Sequence, residues 1–379
     1  MPVAKRPPAP WALALPAGRR ARARLFLRLA APLSFLLLVA AFLRTQPPAA
    51  PLDALPPSAG PGKVAFLFLA RAGLPLDFLW DAFFRNGEEG RFSVYVHSAP
   101  GFVLDRTTTG SPYFYGRQLA RAVKVAWGEP TMVQAEKMLF AAALEDPANQ
   151  RFVLLSDSCV PLYNFSYTYT YLMGSPKSIV DSFTDKTEKR YNPNMSPVIR
   201  KDKWRKGSQM VVTNALLGQK LVNACYSYGI NFSLFQRRLG FVFRRKQILK
   251  GAAQEEHDCI PDEHYVQTLF SIKGLEDELE RRTLTYTSWN QSTLDPKDKM
   301  TWHPTTFEYD AASPEQINAI KSIDHVNYEV EHRTEWCQSN GTSVPCFLFA
   351  RKFSYGAAMH LLEDGAFGLL KSAQLLVNF

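Results

Sequence analysis

The chain has 379 residues, 46% hydrophobic and 13% aromatic, with 44 Lys/Arg against 35 Asp/Glu. Its formal charge of +9 points toward nucleic acid until it is divided: residues 1–62 hold eight Lys/Arg and one Asp, or +7, which leaves +2 for everything that follows. Nucleic-acid binding loses its electrostatic support, because the excess is confined to one end.

Residues 1–24 form a basic tail with Lys5, Arg6, Arg19, Arg20, Arg22 and Arg24. Residues 25–43 are almost wholly apolar, interrupted by Arg28 and Pro32, and at about 1.5 Å per residue they span roughly 28 Å, close to the hydrocarbon thickness of a bilayer. The positive charge ahead of the span holds that end in the cytosol. A single-pass type II signal anchor with a luminal remainder is therefore expected. A cleaved signal peptide fits less well, because the charged leader is long and no small-x-small site precedes the next segment. Residues 44–62 carry Pro47, Pro48, Pro51, Pro56, Pro57 and Pro61 with few large apolar groups, which predicts an extended stem. Residues 63–379 are then one large α/β domain.

Within it, 63–70 is a continuous apolar run of buried-strand length, and 76–85 has helical spacing through Phe78, Leu79, Ala82 and Phe83. A second strand is predicted at 92–97, a third at 123–127, a helix at 132–144 and a further buried strand at 151–155. Continuous rather than alternating apolar strands, interleaved with helices, predict a Rossmann-type, mostly parallel central sheet covered on both faces. Ligands then belong at the carboxyl ends of its strands. Those ends carry Arg71 and Gly73, His97 and Ser98, Trp127 and Gly128, and Ser156-Asp157-Ser158. Segment 167–171 is aromatic and Thr-rich, and 185–205, rich in Lys and Arg, reads as a long surface loop. A strand is expected at 207–213, helices at 216–227 and 262–272, and a short buried strand at 346–353 that contains Arg351 and Lys352.

The 262–272 helix begins at Pro261-Asp262-Glu263, and its amides and macrodipole favour carboxylates in the first turn. Glu263 is thereby held in place, either as a simple capping acid or, at a cleft edge, as a general base for a hydroxyl. No G-x-G-x-x-G, G-x-x-x-x-G-K-[ST], H-E-x-x-H or G-x-S-x-G occurs, and no D-x-D ends an apolar strand to hold a divalent ion. A diphosphate would need fixed cations instead, and Arg351 and Lys352 are candidates. Each candidate also has an ordinary reading: a strand-end cation pair, a turn-capping Asp157, hydrogen-bonded imidazoles at His97 and His264, core indoles at Trp127 and Trp289. Five N-x-Ser/Thr sequons, at Asn164, Asn194, Asn231, Asn290 and Asn340, agree with a luminal domain. Of five cysteines, Cys337 and Cys346 bracket a Gly-containing turn and are the preferred disulfide; no C-x-x-C zinc pattern exists.

Ser156-Asp-Ser-Cys-Val-Pro-Leu162, Arg205-Lys-Gly-Ser-Gln209, Cys259-Ile-Pro-Asp-Glu-His-Tyr265, His303-Pro304 and Phe349-Ala-Arg-Lys-Phe353 follow the anchor and stem in this order. This set resembles the plant branch of the core-2/I-branching glycosyltransferases, glycosyltransferase family 14, which includes the brittle-culm type proteins. The resemblance runs from about residue 63 to 353. It implies a GT-A-like fold, Golgi type II topology, and inverting transfer from a UDP-sugar, with GlcNAc or glucuronate the first sugars to expect, to a hydroxyl of a glycan or glycoprotein, with no metal cofactor. Glu263 matches the general base. Lys352 matches a cation on the donor diphosphate, with Arg351 beside it and Arg333 as counterpart of a second. His97, Ser98, Trp127, Gly128 and Asp157 fall on the donor side; Gly207, Ser208, Gln209 and Trp289 fall on the acceptor side. The sequence departs from the branch at Met210, where an aromatic is expected, and in its smaller cysteine set. A homodimer is left open. Two other readings are a catalytically silent Golgi membrane protein that binds glycans or organises other glycosyltransferases, and a metal hydrolase built on His257, Asp258, Cys259, Asp262, Glu263 and His264, whose spacings do not converge on one ion.

Overall fold

A computed structural model describes residues 61–186, 190–191, 193–197, 199–223, 260–289, 304–339, 341–363 and 365. The expected anchor at 25–43 and nearly all of the stem lie outside the described residues, as do Asn231, Asn290, Asn340, Cys225, Cys259 and His303. Among the described residues no helix is long and apolar enough to cross a membrane.

In chain order the described elements are β1 (Lys63–Leu69), α1 (Asp77–Arg85), β2 (Phe92–His97), α2 (Pro130–Ala143), β3 (Asn149–Ser156), β4 (Val160–Pro161), α3 (Phe165–Gly174), β5 (Ser178–Ile179), β6 (Val212–Asn214), α4 (Ala215–Asn223), α5 (Tyr265–Ile272), β7 (Leu279–Glu280), β8 (Thr285–Thr287), α6 (Pro314–Lys321), β9 (His325–Tyr328), β10 (Arg333–Trp336), β11 (Gln338–Ser339), β12 (Thr342–Ser343), β13 (Phe349–Arg351) and α7 (Tyr355–Glu363).

The main sheet has the order β2-β1-β3-β6-β5-β7. Its pairs are parallel except where β6 meets β3 and β5. This is the expected mixed α/β architecture with a mostly parallel sheet, and one reversed strand. β1 is central and apolar on both sides: Phe66 and Phe68 pack with Trp80, Phe83 and Phe84 of α1, while Ala65 and Leu67 pack with Leu139 and Phe140 of α2 and Phe270 of α5. Each fully buried Leu or Phe among them contributes about 1.5–3 kcal/mol. Register places Leu69 opposite both His97 and Ser156, so three strands end in one row. A second sheet, β4-β13-β8, sets β13 antiparallel to β4 and parallel to β8. Cys337 and Cys346 are bonded, with Cα atoms 5.2 Å apart.

Several expectations are corrected. Segment 123–127 is not a strand: the Val123 amide donates to His97 Nε2 and the Ala126 amide to Thr131 Oγ1, so these donors go to side chains instead of a ladder. The strand expected at 207–213 is reduced to β6, because the amides of Gly207, Ser208 and Met210 bond to Glu263 O, Asp181 Oδ2 and Ser208 Oγ. The helix expected at 262–272 is a 3-10 turn over Pro261–Glu263, a break at His264 (φ −126°, ψ −27°), and then α5. Segment 167–171 lies within α3, which Asn164 caps by accepting from the Tyr167 amide. The strand expected at 346–353 narrows to β13. Segment 185–205 is irregular but not solvated throughout, since Arg190 is 5% and Trp204 3% exposed.

Candidate active site

Pro261 starts the 3-10 turn, where a fixed φ and a missing amide cost nothing. The Gly207 amide donates to Glu263 O at 2.9 Å and ties the turn to the 205–210 segment. Gly207 lies so close to the neighbouring chain that a Cβ would stand 1.9 Å from Asp181 O. The Glu263 carboxylate meets Arg190 Nη1 at 2.8 Å and Lys206 Nζ at 3.8 Å, with side chains 24%, 6% and 18% exposed respectively. Both contacts fall on Oε2, so among the described residues Oε1 is the oxygen left for a hydroxyl.

The acceptor-side residues expected from the sequence surround this turn. Ser208 donates its amide to Asp181 Oδ2 at 2.9 Å, Tyr328 Oη donates to Asp181 Oδ1 at 2.6 Å, and Gln267 Nε2 donates to Ser208 O. Burial pushes the Asp181 carboxyl up. Gln209 Nε2 donates to Glu136 Oε1 at 2.7 Å. His264 donates Nδ1–H to Arg205 O at 2.8 Å, and its ring stacks on Trp204 with centroids 4.3 Å apart. Burial pushes its imidazole down to about 3, so it is a neutral, structural histidine.

Across from the turn, β13 delivers Arg351 and Lys352. Burial, helped by Arg351 and Arg71, pushes the Lys352 ammonium down, while Asp157 and Cys159 oppose the shift. Arg71 Nε meets Asp157 Oδ2 at 2.9 Å, and the arginine side chain is 87% exposed. Three cations thus gather at the row where the parallel strands end, with Asp157 as their counter-charge. The charges of Arg351 and Arg190 favour the ionised form of Asp262, so Arg351 lies within electrostatic reach of the turn that carries Glu263. Trp289, half exposed, follows β8, whose Thr287 pairs with Arg351.

The remaining expected donor-side residues are placed as follows. His97 is buried and accepts from the Val123 amide through Nε2, and burial pushes its imidazole down. Ser98 is buried, and among the described residues its Oγ has no hydrogen-bond partner. Trp127 is half exposed beside Gly128, whose φ of 71° suits glycine. Arg333 is committed locally: it pairs with Glu331 Oε2 at 3.0 Å and with Glu335, donates to Ser182 O and Arg281 O, and lies over the Tyr328 ring. It braces Asp181 and the acceptor-side segment. Among the described residues no group of three or more His, Cys, Asp or Glu side chains is arranged to hold a metal ion. Sequence reasoning passed over Arg190 and Lys206 as solvated and left Arg71 unassigned. The signal for the first two was aromatic punctuation of the polar run by Tyr191 and Trp204.

Residues 64–321 match the family model described as Core-2/I-Branching enzyme, and the chain belongs to that family of glycosyltransferases. It is 49% identical over 319 residues to Glycosyltransferase BC10 of Oryza sativa subsp. japonica, covering 82% of this chain and 77% of that protein. Among solved structures it is similar to an active-site mutant of LgtC, at a TM-score of 0.36 and 8% identity over 82% of this chain and 98% of that one. A galactosyltransferase LgtC in complex with donor and acceptor sugar analogues gives 0.33 and 9% over the same shares.

Proposed function

We propose that this glycosyltransferase is a GT-A-like, metal-independent, inverting enzyme that moves a sugar from a UDP-sugar, GlcNAc or glucuronate first among them, to a glycan or glycoprotein hydroxyl. Glu263 Oε1 takes the hydroxyl proton as the acceptor oxygen bonds to the anomeric carbon. The bond from that carbon to the UDP oxygen breaks on the opposite face, and its electron pair leaves with the diphosphate. Lys352 and Arg351, with Arg71 at the rim, meet that charge; preorganised donors of this kind contribute about 3 kcal/mol each. Trp289 flanks the sugar, and Gly207, Ser208 and Gln209 line the acceptor side. What supports the reading is the geometry at Glu263, whose carboxylate is held by Arg190 and Lys206 through one oxygen, together with Arg351 lying within electrostatic reach of the neighbouring Asp262. The reaction takes place on the luminal side of the Golgi membrane, with residues 25–43 as the type II anchor.

Purified protein is assayed for UDP release and product against a panel of UDP-sugars and cell-wall acceptors, with and without a chelator. Glu263→Gln is expected to keep UDP affinity and lose about 100-fold or more in kcat, and Lys352→Gln to weaken UDP binding. Full transfer by a folded Glu263→Gln protein, or activity abolished by the chelator, overturns the mechanism.

A further inference from the structure

Glu136, on α2, and Asp262, on the turn beside Glu263, are both buried, at 2% and 6% exposure. α2 packs directly against that turn. Among the described residues Glu136 has one hydrogen-bond donor, the neutral amide of Gln209, and no cation pairs with it. Among the described residues Asp262 Oδ1 has no hydrogen-bond partner, and the residue stands in the fields of Glu263, Arg351 and Arg190. The charged groups facing the pair are thus Glu263 on the turn itself, Arg190 from the polar segment and Arg351 from β13; the adjoining His264 is neutral.

Two buried carboxylates without a cation between them cannot both be ionised cheaply, since each loses its hydration and repels the other. The fields of two arginines favour the ionised form of Asp262, whereas among the described residues Glu136 is bonded only by an amide. We propose that Glu136 keeps its proton at neutral pH, so that the pair's single titrating charge lies on Asp262 and makes it a positioning residue for Glu263 as that base takes the acceptor proton. Burial pushes both carboxyls up, in agreement with a proton retained by the pair. The catalytic consequence rests on the sugar-transfer reading; the retained proton does not.

The full chain, carrying 13C-carboxyl glutamate, is examined by infrared spectroscopy at pH 7. One glutamate carboxyl is expected in the protonated position, and it disappears in Glu136→Gln. A spectrum with every glutamate ionised overturns the proposal even if the variant fails to fold, because the unsubstituted protein suffices. The kcat of the unsubstituted enzyme is then followed against pH. It is expected to rise as Asp262 ionises, while Asp262→Asn removes that rise and lowers kcat about tenfold at the upper end, the effect of one unit in proton affinity, with the donor KM little changed. A variant profile parallel to the parent's, offset equally at every pH, overturns the positioning role. If no variant transfers sugar, the spectrum still decides the protonation, and the failure belongs to the sugar-transfer reading.

Discussion

Arg190 Nη1 lies 2.8 Å from Glu263 Oε2, with the arginine side chain 6% exposed. The pair fixes the carboxylate through one oxygen. It also pins a polar segment onto the family motif.

Arg190→Gln should therefore hurt both stability and turnover. Losing one partner of a fully buried pair costs about 3–5 kcal/mol. Glu263 is 24% exposed, so about 2 kcal/mol is expected here, after discounting for solvent screening. kcat should fall at least about tenfold with the carboxylate unfastened. Thermal unfolding together with steady-state UDP release measures both effects.

Gly207→Ala tests whether the close approach to Asp181 sets the base. A Cβ 1.9 Å from a backbone oxygen forces the chain apart, at about 1–3 kcal/mol or more. Because the Gly207 amide holds Glu263 O, transfer should drop more than UDP affinity does. Gly128→Ala provides the contrast, since an added Cβ there meets nothing and only backbone strain is introduced. Unfolding midpoints and UDP calorimetry on both variants check this.

His264 gives a pH dependence of stability with a definite sign. Its folded-state affinity for protons is depressed by burial to about 3, against about 6.5 in the unfolded chain. The unfolded state binds the extra proton, so this contribution is complete above pH 6.5 and is lost progressively toward pH 3. At pH 5 the loss should amount to about 2 kcal/mol. Replacing His264 by Phe keeps the stack on Trp204, gives up one hydrogen bond and removes the titration. Urea unfolding between pH 5 and 7.5 should then be flatter for the variant than for the parent.

What was legible in the residues follows from how local the physics is. β1, β2 and β3 are runs of consecutive apolar side chains that need both faces covered, and their pattern needs no partner to be read. Glu263 and Lys352 were singled out because each sits in a short motif. Arg190 and Lys206 were not, because whether a cation is solvated or buried depends on a carboxylate 73 residues away for Arg190, and neither carries that information locally. The strand expected at 123–127 failed for a related reason: its amides are claimed by His97 and Thr131, side chains that no periodicity count includes. The β9–β10 and β11–β12 hairpins are short and polar, so nothing in their composition marks them as ladders.

β13 is held between β4, close behind β3, and β8, more than a hundred positions further on. A growing chain has the parallel sheet and the Glu263 turn in hand long before residue 351 is made. The strand that brings Arg351 and Lys352 can slot in only when the C-terminal part returns, a long-range closure of the kind that folds late. On the proposed reading, the hydroxyl-activating side is made before the leaving-group side. A chain interrupted ahead of β13 would then carry the proposed base without the Arg351–Lys352 pair, and its second sheet would stay unclosed between β4 and β8.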